Sequence, residues 1–261
     1  VLTYLYCLRY FSAPLAGFFS AVTLCGARHL ISGPHGVRHA TQDPFMLLLC
    51  TGALFAGFEI VKSYRGNQSP SEPASLPRER KLHLIFGLLV GAAILTKSVA
   101  GAVPCIVFGS YLIVDPQARR AATKRWRLWF GVIALGLVPV VLFVAYQLLM
   151  NRELFLWATR AEIVDRALTG FHNGSRGFYY WRELFLRDTI ATPIVLGLAL
   201  LFIASRAIKD YRCRYLLCWA IVPIVLFSAA RSRMVWYIFV SYPALAVAVG
   251  LFTAELLQRK D

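Results

Sequence analysis

Long apolar runs recur along almost the whole chain, and they limit the folds that it can adopt more than any other feature. Hydrophobic residues make up 58% of the sequence, above the ~45–50% of an ordinary soluble domain. Runs of membrane-helix type fall at about 1–8, 12–31, 44–61, 82–96, 98–114, 128–150, 190–205, 215–230 and 234–257. Several are shorter than the ~20 residues of an upright membrane helix, so short or tilted helices are expected. The pattern predicts an all-α, polytopic transmembrane helical bundle with about eight membrane helices.

The basic residues indicate how these runs are oriented. The formal net charge is +15, which in a soluble chain would suggest a nucleic-acid partner. Here the charge lies in short connectors and no nucleic-acid-binding motif accompanies it, so we predict a membrane-lipid environment and no nucleic acid. The basic connectors alternate with less basic ones and include 62–81, 115–127 and 206–214. By the positive-inside rule the basic set is cytoplasmic, and we predict that 62–81 and 115–127 are cytoplasmic loops.

The connectors on the other, extracytoplasmic side are more varied. We predict that 1–261 forms a single transmembrane domain in which 151–189 is the one long extracytoplasmic loop. Within that loop, apolar and charged residues alternate over 152–168 in a way that predicts an amphipathic helix lying in the membrane interface. The chain starts inside an apolar run without an initiating methionine, and we therefore expect it to be the later part of a longer protein.

A polar stretch between two apolar runs, Gly33–Pro44, carries two imidazoles, a guanidinium and a carboxylate. One interpretation is a solvated turn that starts a helix, with Asp43 at the N-cap and Pro44 at N1. The other is one wall of a functional cavity. Lys97 leaves a similar choice, because a basic residue between two closely spaced apolar runs either snorkels to the headgroups or faces a polar cavity.

The predicted topology brings an unusual number of cations to the extracytoplasmic face. Strong cations with few carboxylates to pair them favour a phosphate or pyrophosphate ligand. Several histidines would also suit zinc, but no helical His-x-x-x-His or Glu-x-x-His spacing supports a metal site. The residues concerned are His35, Arg38, His39, Asp43, Lys97, Arg166, His172 and Arg233.

Four motifs in order resemble the later transmembrane core of the lipid-linked-sugar glycosyltransferases of the GT-C class. The branch that they resemble contains the lipid A aminoarabinose transferase and the protein O-mannosyltransferases. The family patterns are R…D-P, G-L-x-x-G-L-A-x-L-T-K, E-x-I-x-R…H…Y-Y and S-K-x-x-Y-Y-x-x-P-x-x-P-A-L-A, whose second P is Pro243 here. In this sequence they correspond to Arg38…Asp43-Pro44, Gly87–Lys97, Glu162–Arg166 with His172 and Tyr179-Tyr180, and Ser232–Pro243.

The resemblance implies an enzyme that moves a sugar from a polyprenyl-phosphate donor to an extracytoplasmic lipid, glycan or protein. By the same resemblance Lys97 and Arg166 contact the lipid phosphate, and Asp43 is a secondary acidic residue of the active cavity. Cations suit that site because the departing polyprenyl phosphate gains negative charge. Arg38, His172, Arg233 and Tyr237 complete the candidate substrate-binding set.

Two departures from the family pattern matter. The family's principal catalytic aspartate lies in the first extracytoplasmic loop, upstream of this sequence, so we expect the chain by itself to be inactive. Arg233 also stands where the family usually has lysine, and the two cations bind phosphate with different geometries. A divalent metal stays open as a cofactor. The branch favours a bacterial inner membrane, and a transporter with a basic outer vestibule or a non-catalytic scaffold remains the alternative.

Overall fold

The computed structural model describes residues 1–33, 35–36, 41–66, 76–165, 179–184, 192–230 and 234–258. Every regular element within these ranges is a helix. Four helices in the described ranges are long and apolar enough to cross a membrane, namely Gln42–Arg65, Trp126–Met150, Tyr211–Ala229 and Val235–Gln258. Shorter apolar helices cover Pro14–Cys25, Ala100–Val114 and Pro193–Ala207. The predicted all-α membrane bundle is thus confirmed.

The chain divides into two compact units. The first unit combines Val1–Pro44 with Gly170–Asp261, and the second contains Phe45–Thr169. The helices of the first unit are α1 (Leu2–Phe11), α2 (Pro14–Cys25), α3 (Arg28–Ser32), α10 (Tyr179–Arg182), α11 (Pro193–Ala207), α12 (Tyr211–Ala229), a 3₁₀ segment (Val235–Ser241) and α13 (Tyr242–Gln258).

The core of the first unit forms where α2 and α13 approach each other closely. A Cβ atom added to Gly250 would overlap the carbonyl oxygen of Ala16 and the hydroxyl of Ser20, so only glycine permits this contact. The Trp219 indole N–H on α12 donates a hydrogen bond of 2.7 Å to the Val240 carbonyl. That bond fixes the 3₁₀ segment against α12, which matters because the segment continues into the candidate site.

The second unit is built from α4 (Gln42–Gly66), which starts in the first unit, and the helices that follow it. These are α5 (Leu76–Lys97), a 3₁₀ segment (Ser98–Ala102), α6 (Val103–Val114), α7 (Pro116–Lys124), α8 (Trp126–Met150), α9 (Arg152–Thr159) and a π-helical turn (Arg160–Asp165). The predicted interfacial helix is therefore helical from 152 to 165, and its predicted end at 168 lies outside the described residues.

Helices α5 and α8 meet through small residues. Gly87 and Gly91, four residues apart on α5, face Gly136 on α8, and a Cβ atom at Gly136 would lie 2.6 Å from the Gly87 carbonyl oxygen. Membrane helices use such small-x-x-x-small spacings because backbones can then approach closely enough for extensive van der Waals contact. The glycines of the second family-like motif therefore have a packing role that does not depend on any activity.

A polar network occupies the predicted cytoplasmic end of the second unit. The Trp129 indole donates to the Tyr64 hydroxyl (2.9 Å), whose other contact is His83 Nε2 at 3.0 Å. Close by, Asp115 accepts hydrogen bonds from Arg65, from the Tyr111 hydroxyl (2.8 Å) and from a backbone N–H of α7 (3.0 Å). These contacts hold α4, α5, α6, α7 and α8 together at the end of the unit that contains the two basic connectors.

The same contacts explain why the predicted cytoplasmic loops contain more helix than expected. Helix α4 continues to Gly66 and α5 already begins at Leu76, so both ends of 62–81 are helical. Most of 115–127 forms α7, with Asp115 as its N-cap and Pro116 at N1. In the sequence, charged residues mark the ends of the apolar runs. In the structure, the helices continue through these charged residues, which form ion pairs such as that between Arg125 and Glu79.

Candidate functional site

Asp43 lies at the end of α4 that we predict to face outward, which we call the outer end. The helix begins at Gln42, so Asp43 lies inside the first turn and is not the N-cap that the sequence predicted. A carboxylate in the first turn of a helix is stabilised by the helix dipole. Asp43 is only 2% exposed, and its Oδ2 atom lies 2.9 Å from Nδ1 of His35. A buried carboxylate bound to an imidazole is more than a solvated helix start.

His35 is held in place from two further directions. Its ring stacks on the Trp236 indole with centroids 3.7 Å apart and planes inclined by 25°. Its carbonyl oxygen accepts a hydrogen bond from the Thr41 hydroxyl at 3.2 Å. The side chain of His35 is 35% exposed, so the imidazole is partly accessible to solvent although its Nδ1 atom contacts Asp43. The carboxylate, imidazole and indole form what we call the Asp43 cluster, and all three belong to the first unit.

The segment that carries Trp236 also carries Tyr237, which the sequence placed among the substrate-binding candidates. The Tyr237 ring lies 5.2 Å from the Phe227 ring, at an interplanar angle of 32°. Just before it, the Met234 N–H donates to the Tyr180 hydroxyl at 3.2 Å. Tyr180 is fully buried, so the aromatic pair of the third motif anchors the fourth motif. The structure thus brings Tyr237 into the same unit as the Asp43 cluster.

A second buried acid, Glu183, was missed by the sequence reasoning. It directly follows α10 and is 2% exposed. Its carboxylate lies 4.0 Å from His29 Nε2 and 3.6 Å from the Arg182 guanidinium. The available signal was its position just after the aromatic stretch of the third motif. That signal was weak, because acidic residues near aromatic belts are commonly solvated.

Lys97 belongs to the second unit, where it is the last residue of α5. A lysine in the last turn is stabilised by the negative end of the helix dipole. The next residue, Ser98, has a φ of 51° and turns the backbone sharply into the 3₁₀ segment. Gly101 then lies so close to Ala93 that a Cβ atom would overlap its carbonyl group. This tight reversal leaves the Lys97 side chain half-buried at the end of its helix.

The remaining candidates cannot be compared with the structure. Arg38, His39, Arg166, His172 and Arg233 lie outside the described residues, so their roles stay predictions. Among the described residues, no group of three or more His, Cys, Asp and Glu side chains is arranged to hold a metal ion. Within those ranges the Asp43 cluster supplies two donors, and the other outer acid, Glu183, supplies a second His–carboxylate pair.

Each unit contributes residues with a chemistry of their own. The Asp43 cluster pairs a carboxylate with an imidazole, which is a combination that can accept, hold and return a proton. Lys97 presents an ammonium group at a helix end, and an ammonium binds phosphate as a compact point charge.

Two solved structures share this fold. ArnT from Cupriavidus metallidurans, crystallised with undecaprenyl phosphate, superposes with a TM-score of 0.72 at 21% identity, over 96% of this chain and 43% of ArnT. The oligosaccharyltransferase from Archaeoglobus fulgidus gives a TM-score of 0.60 at 14% identity, over 99% of this chain and 38% of that protein. The fold is that of the GT-C class of membrane glycosyltransferases.

Sequence comparison points to one branch of that class. No family model matches the chain. The undecaprenyl phosphate-α-4-amino-4-deoxy-L-arabinose arabinosyl transferase from Shewanella sediminis is 31% identical over 182 residues, which cover 65% of this chain and 31% of the relative. The chain thus spans about a third of the length of the curated relatives that it matches. The resemblance that the four motifs indicated is confirmed.

Proposed function

We propose that the chain is part of a membrane glycosyltransferase that moves a sugar from a polyprenyl-phosphate carrier to an acceptor on the extracytoplasmic face. The observation that carries the proposal is the Asp43 cluster, in which a buried carboxylate contacts a partly exposed imidazole at the outer end of a membrane-spanning helix. At a solvated helix start the carboxylate would be exposed and hydrogen-bonded to water, so the burial of this carboxylate indicates a further role. The similarity to ArnT, which was crystallised with undecaprenyl phosphate, supports the same class of donor.

Lys97 and Arg166 are the groups that we assign to the carrier phosphate. When the glycosidic bond breaks, the carrier phosphate takes up negative charge, and fixed cations stabilise that charge most in the transition state. Lys97 is suited to this because the Ser98 turn and the close approach of Gly101 hold the end of α5 in one conformation. A site with little freedom has little reorganisation to do during the reaction.

The Asp43 cluster is assigned to the acceptor side. An acceptor group that attacks the sugar must lose a proton or be held with its lone pair directed at the anomeric carbon. His35 can accept a proton because its side chain is only partly buried, and Asp43 orients the ring through Nδ1. Tyr237 would contact the same substrate from the neighbouring 3₁₀ segment.

The proposal extends to surroundings and substrates. We place the protein in a bacterial inner membrane, with the basic connectors in the cytoplasm. The acceptor is a lipid, as in the curated relatives' branch, or a glycan or protein. A divalent metal, if one takes part, would need donors from outside the described residues in addition to the two that the Asp43 cluster supplies.

Transfer assays on the whole protein test this function. The whole protein is reconstituted in lipid nanodiscs and supplied with a radiolabelled polyprenyl-phosphate sugar and a membrane extract as the source of acceptor. We expect Lys97→Ala to lower transfer by about 10- to 150-fold, because a hydrogen bond to a charged group contributes about 1.5–3 kcal/mol. Lys97→Arg should keep part of the activity, since the charge is retained.

Lys124→Ala is the matched control. Lys124 is an exposed lysine of the same unit, at the end of α7 on the predicted cytoplasmic side. The Lys124→Ala variant should transfer sugar at the wild-type rate. If Lys97→Ala, Arg166→Ala and Asp43→Asn all transfer as well as the Lys124→Ala control, the proposed function is wrong.

A further inference from the structure

A cavity of about 190 Å³ lies at the end of the first unit opposite the Asp43 cluster. It is enclosed by the ends of α1, α11 and α13 and by the start of α12. Its apolar wall comes from Phe11 on α1, Phe202 and Ile203 on α11, and Leu251 on α13. Drug-sized ligands occupy cavities of about 300–1,000 Å³. This cavity therefore fits a smaller group, of the size of a single polar headgroup.

Two arginines at the mouth of the cavity rest on aromatic rings of its wall. The Arg206 guanidinium lies 4.3 Å from the Phe202 ring centroid, and that of Arg212 lies 5.1 Å from the Phe11 centroid. Arg212 also donates to the Tyr10 carbonyl at 2.8 Å, which joins the start of α12 to the end of α1. Both guanidiniums are thus held in fixed positions at the boundary between apolar and polar surroundings.

The arginines differ in how fully their donors are engaged. Three Arg212 nitrogens contact Asp210 or the Tyr10 carbonyl. Burial acts to raise the pKa of Asp210, but the bonds from Arg212 to its carboxylate keep that pKa below its usual value. Arg206 pairs with Glu255 at 2.9 Å through one nitrogen, and its side chain is 46% exposed. A guanidinium has five N–H donors, so Arg206 can bind a second anion without leaving Glu255.

The charge around the cavity favours an anion. The turn between α11 and α12 adds Lys209 and Arg214 to the two arginines, so four cations stand against Asp210 and Glu255. The positive-inside rule assigns this end of the unit to the cytoplasm. Basic pockets between membrane helices on the cytoplasmic side are typical binding places for acidic lipid headgroups.

We propose that this cavity binds the headgroup of an anionic phospholipid of the cytoplasmic leaflet. The phosphate would accept hydrogen bonds from Arg206, and the first part of an acyl chain would lie along the apolar wall formed by Phe202 and Leu251. A soluble anion would gain nothing from that wall. A zwitterionic lipid would bring a cation close to Arg206 and Arg212. The site is remote from the sugar-transfer chemistry and does not depend on it.

Native mass spectrometry of the whole protein tests the proposal. The protein is purified in detergent, mixed with dioleoylphosphatidylglycerol or dioleoylphosphatidylcholine, and scored for retained lipid. We expect one phosphatidylglycerol to be retained in preference to phosphatidylcholine. Arg206→Gln should weaken this retention by about tenfold or more, because it removes a charge-assisted hydrogen bond.

Lys209→Gln is the matched control, since it removes the same charge three residues further along the chain, at an exposed residue outside the cavity lining. It should weaken retention by about fivefold at most, the effect of a basic residue near a membrane surface. Equal losses in both variants would overturn the proposal, because they would indicate diffuse attraction. Equal retention of the two lipids, or complete displacement of phosphatidylglycerol by inorganic phosphate, would overturn it as well.

Glu255→Gln should strengthen the retention of phosphatidylglycerol, whereas Arg206→Gln should weaken it. A variant that failed to fold could not show stronger retention. The Glu255→Gln substitution removes a carboxylate that repels a phosphate bound beside it at Arg206, so phosphatidylglycerol should be retained more strongly than by the wild type. Unchanged or weaker retention would contradict the assigned role of Arg206. This measurement decides the matter even if Arg206→Gln does not fold.

Discussion

The close approach of α5 and α8 gives a sharp test of the packing that supports Lys97. A Cβ atom at Gly136 would lie 2.6 Å from the Gly87 carbonyl oxygen, whereas carbon–oxygen contacts between helices are about 3.3–3.6 Å. Gly136→Ala therefore requires the two helices to separate by about 0.7–1 Å. Overpacking of this kind costs about 1–3 kcal/mol.

Gly131→Ala is the control on the same helix. Nothing lies within 4 Å of the Cβ position at Gly131, and alanine is the better helix former. Thermal unfolding in detergent can be followed with a thiol-reactive dye in a background where Cys25, Cys105 and Cys218, which are not buried, are changed to serine. The dye then reacts only with cysteines that unfolding exposes, among them Cys50 of the second unit. Gly136→Ala should lower the midpoint by about 2–10 °C, and Gly131→Ala should leave it unchanged or raise it.

The contact between α5 and α8 should also affect sugar transfer, because it positions the helix that ends at Lys97. Gly136→Ala should lower sugar transfer as well as stability at a temperature where the variant is still folded. If Gly136→Ala unfolds like the wild type, or if Gly131→Ala is equally destabilising, the reasoning from close backbone contact is refuted.

Three further results are expected. Asp115→Asn should destabilise the protein by about 3 kcal/mol, because it removes the charge that Arg65 faces. Burial acts to raise the pKa of Asp115, but the hydrogen bonds that the carboxylate accepts outweigh it and hold that pKa below its usual value. The stabilisation is therefore present at neutral pH and lost below about pH 4, and this loss should be missing from acid-unfolding curves of the variant. His35→Gln keeps a donor for Asp43 but cannot accept a proton, so it should reduce transfer while the unfolding midpoint stays unchanged; equal losses of stability and transfer would indicate a structural role only. Trp236→Ala removes a stacking contact of about 0.5–1.5 kcal/mol and should lower transfer several-fold by releasing the His35 ring, an effect that a Trp236→Phe variant should largely restore.

The sequence predicted those features that depend on local composition. Apolar length and the alternation of basic connectors were enough for an all-helical membrane bundle and for a break directly after Lys97. These features follow from a few neighbouring residues, so no knowledge of distant contacts was needed.

Other features depend on residues far apart in the chain and could not be predicted in this way. The stacking of His35 on Trp236 joins residues 201 positions apart, and no local pattern indicates it. The burial of Glu183 similarly depends on His29 in another part of the first unit. The extension of α4 and α5 into the predicted loop 62–81 was missed because charges were taken to end a helix, whereas here they form ion pairs along it.

The most direct test of the account separates phosphate binding from sugar transfer. Undecaprenyl phosphate without a sugar is titrated into the whole protein, and the same preparations are assayed for transfer. The account predicts that Lys97→Ala weakens binding of undecaprenyl phosphate by about 10- to 150-fold, while Asp43→Asn binds it as the wild type does and loses transfer. Wild-type affinity in Lys97→Ala, or lost affinity in Asp43→Asn with transfer retained, would contradict it.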